Sequence, residues 1–106
     1  MKKNEYNVII TEKFTADVER AIARKREFGT YEANIESFKK EIDGRLLQLK
    51  KSPKSGSNLS ARVDYETNDK LFIIDDYLMV YEITGKKDVT VYRLLSAKSN
   101  WQRMLL

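Results

Sequence analysis

The residues of this chain that could do chemistry are its arginines, lysines and tyrosines. From Arg45 to Arg62 there are five basic side chains (Arg45, Lys50, Lys51, Lys54 and Arg62) and no acid. From Val89 onward there are three more (Arg93, Lys98 and Arg103), again with no acid. Seven acids lie between these stretches: Asp64, Glu66, Asp69, Asp75, Asp76, Glu82 and Asp88. A fold that brought the two basic stretches together would make a face for a polyanion. The competing reading, that these side chains merely solvate the surface, fits a net charge of only +4.

The chain has no histidine and no cysteine. The usual proton shuttle near neutral pH, the commonest metal ligand, disulfides and thiol chemistry are therefore all missing. There is no HExxH, no paired CxxC and no glycine-rich phosphate loop, so no metal and no cofactor is expected. Asp75-Asp76 and the pair Glu66 and Asp69 read as solvated turn acids rather than a general acid/base pair.

One reaction needs none of the missing groups. The 2′-hydroxyl of RNA attacks the adjacent phosphate while the protein orients that phosphate, neutralises developing charge and moves protons. Arg62, Arg93, Lys54 and Lys98 are the candidates for this catalytic work. Arg45, Lys50, Lys51 and Arg103 are candidates for holding the substrate. Tyr81 or Tyr92 could stack on a base, although a tyrosine in a strand is more often packing. In the tail, Trp101, Met104 and Leu105 share a face if the segment from Asn100 is helical, and Leu106 follows. They either pack on the body of the protein or anchor a partner, and packing is preferred for Trp101.

A chain of 106 residues suits one domain, 1–106. Its 42% hydrophobic and 34% charged content is that of an ordinary folded protein. No apolar run approaches the roughly 18 residues of a membrane span. The N-terminus, MKKNEYNVII, lacks the apolar core and cleavage site of a signal peptide, so a cytoplasmic location is expected.

The pattern predicts a strand at Tyr6–Ile10, then a helix capped by Thr11, with Phe14, Val18, Ala21 and Ile22 at helical spacing and Gly29 as its stop. A second helix runs from Thr30–Tyr31 to Lys51, with the stripe Ile35, Phe38, Ile42, Leu46 and Leu49. Lys51–Asn58 reads as a loop. Strands follow at Arg62–Tyr65, Lys70–Ile74, Tyr77–Ile83 and Val89–Leu95. Tyr77–Ile83 is apolar on both faces and is expected to be central. Simple alternation puts Val89, Val91, Arg93 and Leu95 on one face of the last strand, and Thr90, Tyr92 and Leu94 on the other. The expected fold class is α+β: an N-terminal strand and an antiparallel αα-hairpin packed on a curved antiparallel sheet of four to five strands, with a short C-terminal tail.

This order, with KSPKSG and LSARVDY, the strand DYLMVYEI, and the ending DVTVYRLLSAKSNWQRMLL, resembles the RelE/ParE superfamily of bacterial type II toxin–antitoxin toxins. Tyr77 and Tyr81 stand as that family's Tyr-x-x-x-Tyr, and Arg93-Leu94-Leu95 through Trp101 as its last strand and Trp ending. The resemblance implies a toxin neutralised by a cognate antitoxin. It implies either a metal-independent, ribosome-dependent mRNA endoribonuclease, the preferred expectation, or an inhibitor of DNA gyrase without hydrolytic activity. A toxin fold retained only for binding is a third outcome. Arg62 and Arg93 match basic positions of the nuclease branch, and Lys51 and Lys54 match loosely. Leu78 stands where that branch often has Arg, and Ser96-Ala97-Lys98 stands for its His-Gly-Arg.

Overall fold

A computed structural model describes residues 5–105. Leu106, the last apolar position of the tail, lies outside the described residues. Strand β1 (Asn7–Ile10) leads into helix α1 (Glu12–Glu27) and helix α2 (Glu32–Lys51). Two short 3-10 turns, Pro53–Ser55 and Leu59–Ala61, flank the two-residue strand β2 (Ser57–Asn58). Strands β3 (Lys70–Ile74), β4 (Tyr77–Ile83) and β5 (Asp88–Ser96) follow, and one helical turn, α3 (Trp101–Met104), closes the chain.

The helix pair forms where the apolar stripes predict it. The Thr11 hydroxyl accepts from the Phe14 amide at 3.1 Å, which satisfies one of the free N–H groups at the start of α1. Gly29 ends the helix at φ 75°, a left-handed conformation that glycine adopts without a Cβ clash. Lys25 ties the hairpin to the sheet. Its ammonium meets Asp75 at 2.6 Å and lies 4.5 Å from the centre of the Phe38 ring.

The sheet has the order β1-β5-β4-β3-β2. β4 is central, as its two-sided apolar pattern requires. The β3–β4 hairpin reverses through Asp75 and Asp76, with Asp75 at φ 55°. β1 pairs parallel with β5, and every other pair is antiparallel. The sheet is therefore mixed. The return through α1 and α2 is a crossover long enough to bring a parallel partner alongside.

Both faces of the sheet are covered. On one, Met79, Tyr81, Phe72, Ile74, Val89, Val91 and Leu94 pack with Phe14, Ala21, Phe38, Ile42 and Leu49 of the helices. On the other, Leu71, Leu78, Val80 and Leu95 pack with Leu59, Trp101, Val63 and Leu105. Trp101 is only 8% exposed, so it serves the core rather than a partner, and Leu105 packs with it. Met104 is the part of the predicted anchor that remains exposed.

Two expectations need correction. Arg62–Tyr65 is not a strand. The short partner of β3 is Ser57–Asn58, because Leu59 turns into the core immediately afterwards and is fully buried. Nor does β5 alternate evenly. A bulge shifts the register, so that Val80 faces Arg93 but Tyr81 faces Val91, with Tyr92 as the extra residue. Val89, Val91 and Leu94 consequently share the helix-covered side, while Leu95 joins the opposite core.

Tyr81 is fully buried and cannot stack on a base. Its hydroxyl donates to the Pro53 carbonyl at 2.7 Å and accepts from the Gly56 amide at 2.9 Å, pinning the loop after α2 to the central strand. A Cβ on Gly56 would press on that hydroxyl and lie 2.9 Å from the Leu71 carbonyl. Gly56→Ala is expected to lower stability by about 1–3 kcal/mol in urea unfolding. At the bulge, the Tyr92 phenol donates to Glu82 at 2.9 Å. Burial, then this bond, pushes the phenol up to about 12. An unfolded phenol ionises near about 10, so this contribution is complete below that pH and is lost as pH rises through about 12. Thermal melts should show the wild type losing stability across that window, and Tyr92→Phe losing less.

Candidate functional site

The site is built on the edge of β5 that β1 leaves uncovered. β1 pairs only as far as Val91. From that point Thr11, the cap of α1, and then Asp17 of the helix take over the pairing. Thr11 donates its amide to the Val91 carbonyl at 3.2 Å and its hydroxyl to the Tyr92 carbonyl at 2.8 Å. Asp17 then accepts the Leu94 amide at 3.0 Å. A strand edge that would otherwise be left open is thus paired by a helix.

Asp17 is the buried charge of this arrangement, only 5% exposed. Arg93 approaches it through Nε at 2.7 Å and Nη2 at 3.1 Å, in the two-pronged geometry that suits a carboxylate. Arg20 adds a third contact at 3.1 Å from the solvent side. The hydrogen bond to Asp17 raises the Arg93 pKa above its ordinary value, and the nearby carboxylate charge adds to the effect. The sequence reading missed Asp17. Its only signal is an acid in line with the apolar stripe of α1, one turn before Ala21.

Arg93, Arg20, Arg24, Tyr77, Ser96 and Ser99 line a cleft of about 240 Å³ beside this pair. Of the predicted site residues, only Arg93 and the tail residue Met104 belong to it. Arg62 and Arg103 meet elsewhere, with Tyr65 and Gln102, in an open cleft of about 680 Å³. Lys98 sits on the turn after β5, 81% exposed, with Asp76 at 3.6 Å. Lys54 belongs to the first 3-10 turn. Lys50 and Lys51 end α2. Arg45 covers the Phe72 ring, with its guanidinium 4.7 Å from the ring centre, and bonds to Gln48. Leu78, where the nuclease branch often has Arg, is buried in the second core. Among the described residues no three carboxylates come together to hold a metal ion, and no helix is long and apolar enough to cross a membrane.

Among the described residues, the outer edge of β1 faces no strand of the sheet. Ile9 and Ile10 are exposed there, and Val8 and Ile10 border a shallow apolar groove with Leu46 and Leu47 of α2.

A leading strand, an antiparallel helix pair and a sheet in this order form the RelE/ParE toxin fold. The family described as ParE toxin of type II toxin–antitoxin system, parDE, matches residues 8–101, and the chain belongs to it. A solved structure of the chromosomal ParDE TA system from P. aeruginosa is similar in fold. It has a TM-score of 0.69 at 12% identity, over 89% of this chain and 98% of that one. No curated protein sequence matches. The chain is thus the toxin side of a ParE-type module, with a cognate antitoxin as its partner.

Removing one partner of the Asp17–Arg93 pair leaves a poorly hydrated charge behind. Asp17→Ala and Arg93→Ala are each expected to cost about 3–5 kcal/mol in urea unfolding. The double variant should lose less than the sum of the two.

Proposed function

We propose that this toxin acts on DNA gyrase by binding, without hydrolytic chemistry. One observation carries the reading: the side chains that metal-free RNA cleavage would need lie apart. Arg93 is engaged by Asp17 at the edge of β5. Arg62 and Arg103 line a different cleft. Lys98 points to Asp76. The tyrosine that could have joined them, Tyr81, is buried under its own loop. Transition-state stabilisation by oriented cations needs them aimed at one phosphate, and neither cleft gathers this set. Membership in the ParE family supports the same branch. The antitoxin has a fitting seat at the open edge of β1, where exposed Ile9, Ile10 and Leu47 flank unpaired backbone.

One arrangement favours a second reading, metal-independent cleavage of ribosome-bound mRNA. Arg62 and Arg103 do converge, with Tyr65 beside them, in a cleft open enough to take a nucleotide. The two readings separate in one experiment. On induction of this chain without its antitoxin, plasmid supercoiling and mRNA 5′ ends are followed together, and purified toxin is added to gyrase. Loss of supercoiling with intact mRNA is the expected result. Cuts within codons that disappear in Arg62→Ala, with gyrase unaffected, would replace gyrase by RNA as the target. Unimpaired growth on induction would sink both.

A further inference from the structure

We infer that the cleft between α1 and the end of β5 is a receptor for an acidic side chain of a protein partner, centred on Arg24 and Arg20. The inference does not depend on whether gyrase or mRNA is the toxin's target.

Asp17, Arg20, Ala21 and Arg24 are spaced by three and four residues, so they share one face of α1, and all four line the cleft. Arg20 and Arg24 are neighbours one turn apart, and like charges at that spacing repel. Asp17 does not neutralise the pair. Its oxygens are already taken by two nitrogens of Arg93, one of Arg20 and the Leu94 amide. Two arginines therefore share one carboxylate, and Arg24 lines the same cleft without a share in it. Arg24 makes no side-chain hydrogen bond or ion pair among the described residues, which leaves its planar fork of donors free for a carboxylate. The Arg20 side chain is 69% exposed and uses only Nη1 on Asp17.

The remaining walls define the rest of the ligand. Ala21, Leu94, Leu95 and the exposed Met104 give the cleft an apolar side. Tyr77 borders it as well. At about 240 Å³, the cleft is below the roughly 300–1,000 Å³ of small-molecule sites. It suits one side chain of a peptide better than a nucleotide. An anion flanked by apolar atoms fits a glutamate with a leucine-like neighbour better than a strand of phosphodiesters.

The test is an ¹⁵N NMR titration of the whole chain with the peptide acetyl-Leu-Glu-Leu-amide. Its glutamine analogue and a short oligothymidylate are titrated in parallel. The expected result is saturable binding of the glutamate peptide, shifting the Arg24 and Arg20 side-chain Nε–H signals and the Leu94 and Ser96 amides. The glutamine peptide should bind at least about tenfold more weakly, for want of a charge-assisted pair. Arg24→Gln should abolish the response. Arg24 holds no part of the fold in place, so the rest of the spectrum should remain. No saturable shift, equal shifts from the two peptides, or an unchanged response in Arg24→Gln would overturn the inference. Stronger saturation of the same signals by oligothymidylate would also overturn it, in favour of a nucleic-acid site.

Discussion

The carboxylate of Asp17 holds the two halves of this molecule in register. It comes from the first helix, yet its partners, the Leu94 amide and the Arg93 guanidinium, belong to the last long strand. β1 is only four residues long and cannot pair with all of β5. Without Asp17, the second half of β5 would present open backbone beside a helix that shields it from water, and unpaired buried polar groups are costly. With it, α1 is fixed along the strand, and its apolar face is held where Phe14 and Ala21 meet the sheet. The bulge at Tyr92 fits this arrangement. It changes the phase of β5 just where side chains of α1 replace β1 as its partner.

A second constraint comes from size. A chain this short can build only a modest core, and here the sheet is used on both faces. The helices cover one side. A loop, a 3-10 turn and the C-terminal turn carrying Trp101 cover the other. Tyr81 links these layers, because its ring lies in the helix-side core while its hydroxyl holds the Pro53–Gly56 segment. Such a sheet has no open face left for a ligand. What remains for recognition is its periphery: the edge of β1, the end of α2, and the clefts beside α1 and α3.

This division explains what could be read in the sequence. The helices were legible because Phe14 to Ile22 and Ile35 to Leu49 repeat at the helical period with caps and stops at their ends. β4 was legible because apolar residues on both of its faces have no other explanation. β2 was not, since two polar residues carry no period at all. The parallel pairing of β1 was not either, because strand direction is set by the crossover and leaves no mark on the strand itself. The phase of β5 was misread for the same kind of reason: a bulge adds one residue, and alternation alone cannot announce it. At the site, Arg93 was legible as a charge in an apolar strand. Its partner was not, because an aspartate on a charged helix looks solvated until a strand edge arrives beside it.

Arginine is where the two kinds of site differ physically. A catalytic arginine must keep donors free and aimed at a reacting phosphate, whereas a structural one is saturated by its own protein. Arg93 gives Nε and Nη2 to Asp17 and is of the second kind. Arg24, two turns along α1 from that aspartate, is of the first kind in its freedom, and the carboxylate that lines its cleft, Asp17, is already taken by Arg93, Arg20 and the Leu94 amide. A free guanidinium beside a saturated carboxylate is the basis of the recognition site inferred above. Arg62 and Arg103 share their own cleft with Tyr65 and Asp64. The proposed action on gyrase by binding rests on this arrangement of the toxin's cations.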